Sequence, residues 1–418
     1  MRTITRTIVR TFVLLLVMTV LMAAGQREQV SEESNEVTVW IMQPGSATLQ
    51  TMLERFTEEF EAEYDASVNL VFQPWGTAHD AFTTAIATGD VPDVAEMGTT
   101  WTPEFGAIGA FAPQEIDDLS QFIEAVLESG APEGIPLGVP WYAGARALIY
   151  NRTVFDELGL SAPENWEDLI VAGQTIRAET DMYAFSVVGA GANHFVLPKV
   201  WQAGGEIAVQ QADGSWEATI NSPEGVAAFE FYVSMFTEYG FAPAGALNWT
   251  VADAQTAFRN GDLAMFLGLG PNYGVVTRDN DAFEVGVALM PAGPSGRRDT
   301  FAGGSHLVRF AGSRNPDLAQ AYIDFLVQDE RIAEFASEVG FFPGTVEGIE
   351  AMDLNEVQTV FAEMLLNHSR SYPPNAAWGR FEGAQLFTSA VQRMMQGSVD
   401  AQTALNEVAR EMNQGFAQ

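Results

Sequence analysis

The sequence predicts an α/β protein of two lobes, each a sheet flanked by helices, with a ligand cleft between them. Three observations carry this. Residues 36–42 (EVTVWIM) and 68–72 (VNLVF) read as strands, and between them Leu49, Met52, Leu53, Phe56 and Phe60 recur at helical spacing, the order of a parallel βαβ unit. Ile135-Pro136-Leu137-Gly138-Val139-Pro140 then leads into the apolar run from Ala145 to Tyr150. Proline cannot donate to a ladder, so this stretch suits a segment leaving one lobe for the next better than the middle of a sheet. Finally, 418 residues that are 47% hydrophobic and 11% aromatic supply more than one core and exclude disorder.

The N-terminus comes before the fold. Arg2, Arg6 and Arg10 form a basic region, Thr11 to Met22 an apolar one, and Ala23-Ala24-Gly25 offers small residues for cleavage. Residues 1–25 thus read as a secretory signal peptide, and 26–35, rich in Glu, Gln and Ser, as a flexible lead-in. The chain has no cysteine, which excludes disulfides, thiolate metal sites, cysteine nucleophiles and a cysteine-borne lipid anchor. The mature protein is expected outside the cytoplasm, in a periplasmic or equivalent compartment. A formal net charge of −35 repels nucleic acid and anionic lipid, so neither is expected as a partner. Lys199 is the single lysine. A lysine-poor acidic surface fits a high-salt habitat and equally an ordinary acidic exported protein.

In the first lobe (36–140), the strand ends hold the chemistry. Gln43 follows the first strand; Trp75 and His79 follow the second; a third, around Val94, contains Glu96 and leads to Thr100 and Trp101. In open α/β sheets ligands bind outside the carboxyl ends of strands. Flat aromatic faces beside amide, hydroxyl and carboxylate groups suit a sugar, although tryptophans are as readily core residues. Trp141 and Tyr142 stand at the crossing into the second lobe (141–299), where clefts form. There Ser222-Pro223-Glu224 starts a helix, with serine as cap and proline at its first position. Residues 300–328 are expected to return to lobe one and 329–418 to end in lobe two.

The order GVPWYAGARALIYN (138–151) resembles the first inter-lobe crossing of extracellular solute-binding proteins, specifically the carbohydrate-binding group that serves ABC importers. FTTAIATGDVPDVAEMGTTW (82–101) and AFRNGDLAMFLGLGPNYG (257–274) are similar to two further hallmarks. The resemblance spans the mature chain and implies a periplasmic-binding-protein-like fold that closes on a sugar. It implies ligand contacts from Trp201, from Gly304 and Ser305 in the Gly-Gly-Ser return, and from Trp378 with Arg380 nearby. The family's usual tryptophan after Gly-Pro is Asn272 here, with Tyr273 next; Asn272 then hydrogen-bonds, or Tyr273 becomes the platform. Membrane permease subunits are the implied partner, and a monomer the implied state.

The expected function is capture of a neutral sugar by hinge closure, without catalysis, cofactor or metal. Two alternatives stand: an exported glycoside hydrolase or lyase, and the same fold holding a polyol or other small solute. Against the enzyme, His79, His194, His306 and His368 show no HExxH spacing and no G-x-S-x-G elbow occurs. The turn Gly189-Ala190-Gly191 lacks the Lys-Ser/Thr of a phosphate loop.

Overall fold

The computed structural model describes residues 35–116 and 118–417. The leader read in 1–25, and the lead-in up to residue 34, lie outside the described residues. The chain begins β1 (Glu36–Met42), α1 (Ala47–Tyr64), β2 (Ser67–Gln73), α2 (Trp75–Thr88), β3 (Val94–Gly98), α3 (Thr102–Ala107), α4 (Glu124–Gly130), β4 (Gly138–Gly144). It then enters a second body with β5 (Ala147–Asn151), α5 (Arg152–Leu158), α6 (Trp166–Glu179), β6 (Tyr183–Phe185) and α7 (Asn193–Gln202). A hairpin of β7 (Ala208–Gln210) and β8 (Trp216–Ala218) precedes α8 (Pro223–Thr237), α9 (Val251–Arg259), β9 (Leu263–Gly268), α10 (Gly270–Thr277) and β10 (Val285–Ala288). Next come β11 (Thr300–Phe301), β12 (Gly303–Arg309), α11 (Pro316–Leu326), α12 (Asp329–Val339) and β13 (Phe342–Pro343). The last elements are α13 (Val346–Glu350), α14 (Glu356–Asn367), β14 (Ser369–Arg370), α15 (Ala377–Gly383), α16 (Leu386–Met395) and α17 (Ala401–Phe416).

Lobe one is built on a six-stranded sheet in the order β13-β4-β12-β3-β1-β2, and lobe two on a four-stranded sheet in the order β10-β5-β9-β6. Strand β1 pairs in parallel with both β2 and β3, while β12 runs antiparallel to β3 and β4. Ser46 caps α1 by accepting from the Leu49 N–H, and Ser222 caps α8 from Gly225. Alternation along β1 sends Val37, Val39 and Ile41 to one core, with Phe56, Phe60 and Tyr322, and Met42 to another, with Phe82, Phe105 and Phe310. Both faces of this mixed sheet are covered. The backbone passes between lobes at Ala145–Arg146, at Ala302 and after β13.

Two expectations are corrected. The proline-bearing approach is not outside the sheet: β4, containing Pro140, lies between β12 and β13. Pro140 stands opposite His306, where the β4–β12 register shifts, and β13 reaches only Tyr142 and Ala143. The missing N–H thus falls at an irregularity where the ladder needs no donor. The return to lobe one also extends beyond 328. Helix α12 presses Ile332, Phe335 and Ala336 into the lobe-one core, and β13 extends its sheet. The apolar face of α12 belongs with α1 and α11, not with lobe two.

Lys199 on α7 is 3% exposed. Its ammonium lies 5.9 Å from the Trp166 ring and 5.8 Å from the Phe231 ring, rings that stack face to face at 4.0 Å. Burial lowers its pKa to about 8.

Candidate functional site

The ends of β1, β2, β3 and β4 meet at one edge of the lobe-one sheet, around a cavity of about 130 Å³ whose lining includes Gln43, Trp75, Glu96, Tyr142 and Phe341. Its floor is a closed hydrogen-bond knot. The Tyr142 hydroxyl donates to Glu96 Oε1 at 2.5 Å and Ser305 Oγ to the same oxygen at 2.6 Å, while the Met42 N–H donates to Oε2 at 2.8 Å. Glu96 is 2% exposed and Ser305 fully buried. Burial raises the Glu96 pKa against the pull of these three donors.

Beside the floor stands an aromatic corner. Trp75, the first residue of α2, is 44% exposed, its ring 5.6 Å from that of Trp101. The His79 ring meets Trp101 edge-on at 5.3 Å, and its Nε2 lies 3.0 Å from Glu104 Oε2, a contact that raises the His79 pKa. The opposite wall comes from lobe two. Asn193 Nδ2 donates to Glu382 Oε1 at 3.1 Å. Burial pushes the Glu382 carboxyl up to about 7, against hydrogen bonds that include one from the lobe-one residue Thr100. Behind it, Phe301 and Tyr372 stack at 4.2 Å, Tyr372 and Trp378 at 4.6 Å. Because Glu382 is held above its ordinary value near 4.5, its stabilising effect is complete below that value and lost as pH rises through about 7. Melting temperature measured across pH 4 to 8 is expected to fall over this window, and Glu382→Gln to flatten the profile there; an unchanged slope in the variant would assign it to another group.

The residues expected at the site divide into three sets. Gln43, Trp75, His79, Thr100 and Trp101 gather around the corner and its approach. Glu96, Tyr142 and Ser305 form the floor. Gly304, at φ 152°, packs where a Cβ would sit 2.1 Å from the Tyr142 carbonyl oxygen, so only glycine fits this part of the floor. Others face elsewhere. Trp141 is fully buried, stacked at 4.4 Å on Phe335 in the lobe-one core. Trp201 is buried under Arg370, whose guanidinium lies 4.9 Å from its ring, and Trp378 is buried in the aromatic stack. Arg380 Nη2 donates to the Gly415 carbonyl. Asn272 Oδ1 accepts from the Leu269 N–H at 2.7 Å, capping α10, and Tyr273 packs partly buried on the lobe-two core. Sequence reasoning missed Glu104, Glu382, Tyr372 and Phe341. Each reaches the cleft only through tertiary packing, and among 55 acidic residues nothing marks the two glutamates.

Two α/β lobes with an aromatic and polar cleft between them define a hinged ligand-binding protein. Residues 43–331 match the family model for bacterial extracellular solute-binding protein. The chain belongs to that family. It is 27% identical over 390 residues to a binding protein of Brucella abortus, covering 91% of this chain and 93% of that one. It is also 27% identical over 317 residues to the diacetylchitobiose binding protein of Streptomyces coelicolor, covering 73% and 72%. A crystal structure of an ABC transporter solute-binding protein from Thermotoga lettingae, bound with α-D-tagatose, shares the fold at a TM-score of 0.78, with 24% identity over 91% of this chain and 99% of that one.

Proposed function

We propose that this protein captures a sugar or oligosaccharide between its lobes and delivers it to the membrane subunits of an ABC importer. The observation that carries the reading is the Trp75–Trp101 corner beside a cavity lined by Gln43 at the carboxyl edge of the lobe-one sheet. An exposed indole gives a flat apolar face to a sugar ring, and the neighbouring amide and carboxylate groups take its hydroxyls. Relatives named for diacetylchitobiose and maltotriose point the same way. The leader of residues 1–25 directs the chain out of the cytoplasm, and the mature protein works there as a monomer, with no lipid anchor and no chemistry on its ligand.

The cavity of about 130 Å³ is lined by lobe-one residues alone and lies below the roughly 300–1,000 Å³ of ordinary small-molecule sites; lobe two supplies the rest of the binding surface when the lobes close on the ligand. Closure is then stabilised only by contacts that both lobes make to the ligand. The ligand contacts assigned in lobe one are Gln43, Trp75, His79, Thr100 and Trp101.

The test is a thermal-shift screen of residues 26–418 against neutral mono- and oligosaccharides, followed by calorimetry. One sugar is expected to stabilise the chain, by about 2.7 kcal/mol at 100 times its dissociation constant, and to be recovered intact. Trp75→Ala is expected to weaken that sugar about 10- to 100-fold while leaving the melting temperature of the free protein nearly unchanged. A sugar recovered cleaved would turn the reading to a hydrolase. Equal affinity in Trp75→Ala would move the site away from this corner.

A further inference from the structure

Lobe one carries a second cavity, of about 230 Å³, away from the aromatic corner. Its walls come from the stretch before α4, from β4, from the α11–α12 junction and from the residues just after β13. It shares no lining residue with the floor cavity beside Trp75. A pair of rings separates the two: Trp141 lines one, Phe335 lines the other, and they stack at 4.4 Å. At ~30 Å³ per water the space holds about seven waters, enough for a small organic molecule.

Two features of the lining are unbalanced. An indole N–H can only donate, and Trp141 Nε1 is buried without a hydrogen-bond partner among the described residues. Buried donors in folded proteins nearly always meet an acceptor, so this one asks for an acceptor from outside the chain. The other feature is charge. Glu115, Asp324 and Asp329 line the cavity, and no lysine, arginine or histidine does so among the described residues. The arginines of the neighbouring groove are engaged elsewhere, Arg331 with Glu59 and Arg55 with Glu59 and Glu334. Between the indole and the carboxylates lie apolar surfaces that include Phe122 and Pro140.

We propose that this cavity binds a small organic cation that also carries a hydroxyl group. The hydroxyl oxygen accepts from Trp141 Nε1, the cation lies among the three carboxylates, and the carbon skeleton packs on Phe122 and Pro140. An anion meets three like charges. A cation without a hydroxyl leaves the indole N–H unpaired, and a neutral alcohol leaves the carboxylates uncompensated. The site is independent of the sugar-binding reading, and neither falls with the other.

The probe is choline, titrated by calorimetry into the mature chain at low ionic strength, where exposed carboxylates are least screened. Two analogues separate the features. Tetramethylammonium keeps the charge and lacks the hydroxyl; 3,3-dimethyl-1-butanol keeps the shape and the hydroxyl and lacks the charge. Saturable binding of one choline is expected, about tenfold or more tighter than either analogue. Trp141→Phe keeps a ring against Phe335 and is expected to bring choline down to the affinity of tetramethylammonium. Asp329→Asn is expected to weaken both cations, by roughly three- to tenfold. The site is overturned if choline does not bind saturably, if either analogue binds as tightly, or if choline affinity is unchanged in Trp141→Phe. Loss of choline binding in Trp75→Ala would place the cation in the sugar cleft and overturn it equally. Should Trp141→Phe not fold, the ratios among the three probes in the wild type and the response of Asp329→Asn decide.

Discussion

Gly270→Ala is expected to hold the lobes apart. Gly270 opens α10 in lobe two, and a Cβ there would lie 2.2 Å from the carbonyl oxygen of Gly340, which ends α12 in lobe one. Contacts under 3.0 Å are essentially never made by real Cβ atoms, and here neither partner is the end of a side chain that can swing away. One side is held by β9 and the other by β13, so the separation must widen between the lobes. The same seam continues at Gly144, where a Cβ would meet Phe341 at 2.4 Å and Leu269 at 3.6 Å. Apparent affinity falls with the fraction of molecules able to close; a loss of roughly 10- to 100-fold is expected. Small-angle scattering of the ligand-bound variant is expected to show a larger radius of gyration than the bound wild type, with unfolding of each lobe unchanged. A wild-type radius with wild-type affinity would mean that the contact at Gly340 adapts without opening the cleft.

The second large effect is expected at Glu96. Removing its carboxylate in Glu96→Ala leaves the Tyr142 and Ser305 hydroxyls and the Met42 N–H without their acceptor, inside a buried floor. Each orphaned donor costs about 1–3 kcal/mol; a total loss of roughly 3–5 kcal/mol is expected. Glu96→Gln keeps the shape and one acceptor oxygen, and about half the loss. The two variants also differ in their pH dependence. Because the folded-state pKa of Glu96 is raised by burial, its contribution to stability declines as pH rises through that value, and the glutamine variant lacks this decline. Urea unfolding at pH 5 and pH 8 measures both. A midpoint in Glu96→Ala equal to that of the wild type would show that water replaces the carboxylate without cost.

Much of this was readable before the fold. The alternation of EVTVWIM, the spacing from Leu49 to Phe60 and the caps at Ser46 and Ser222 are local signals, and each element formed where its own residues asked for it. Strand-end logic likewise brought Gln43, Trp75 and Trp101 to one rim. What escaped was set by partners distant in sequence. Trp141 and Tyr142 are neighbours on one strand, and that Tyr142 joins the floor while Trp141 is buried depended on Glu96 from β3 and on Phe335 from α12, which stacks on Trp141. Glu382 is ordinary until α15 folds back over Thr100.

The burial of Lys199 has a chemical consequence. Open-chain reducing sugars condense with free amines, and over time this glycation scars proteins that live among sugars. Here the only ε-amine is 3% exposed against Trp166 and Phe231, and every other basic side chain outside histidine is arginine. The protein thus offers the aldehydes around it almost no side-chain nucleophile with which to form an imine.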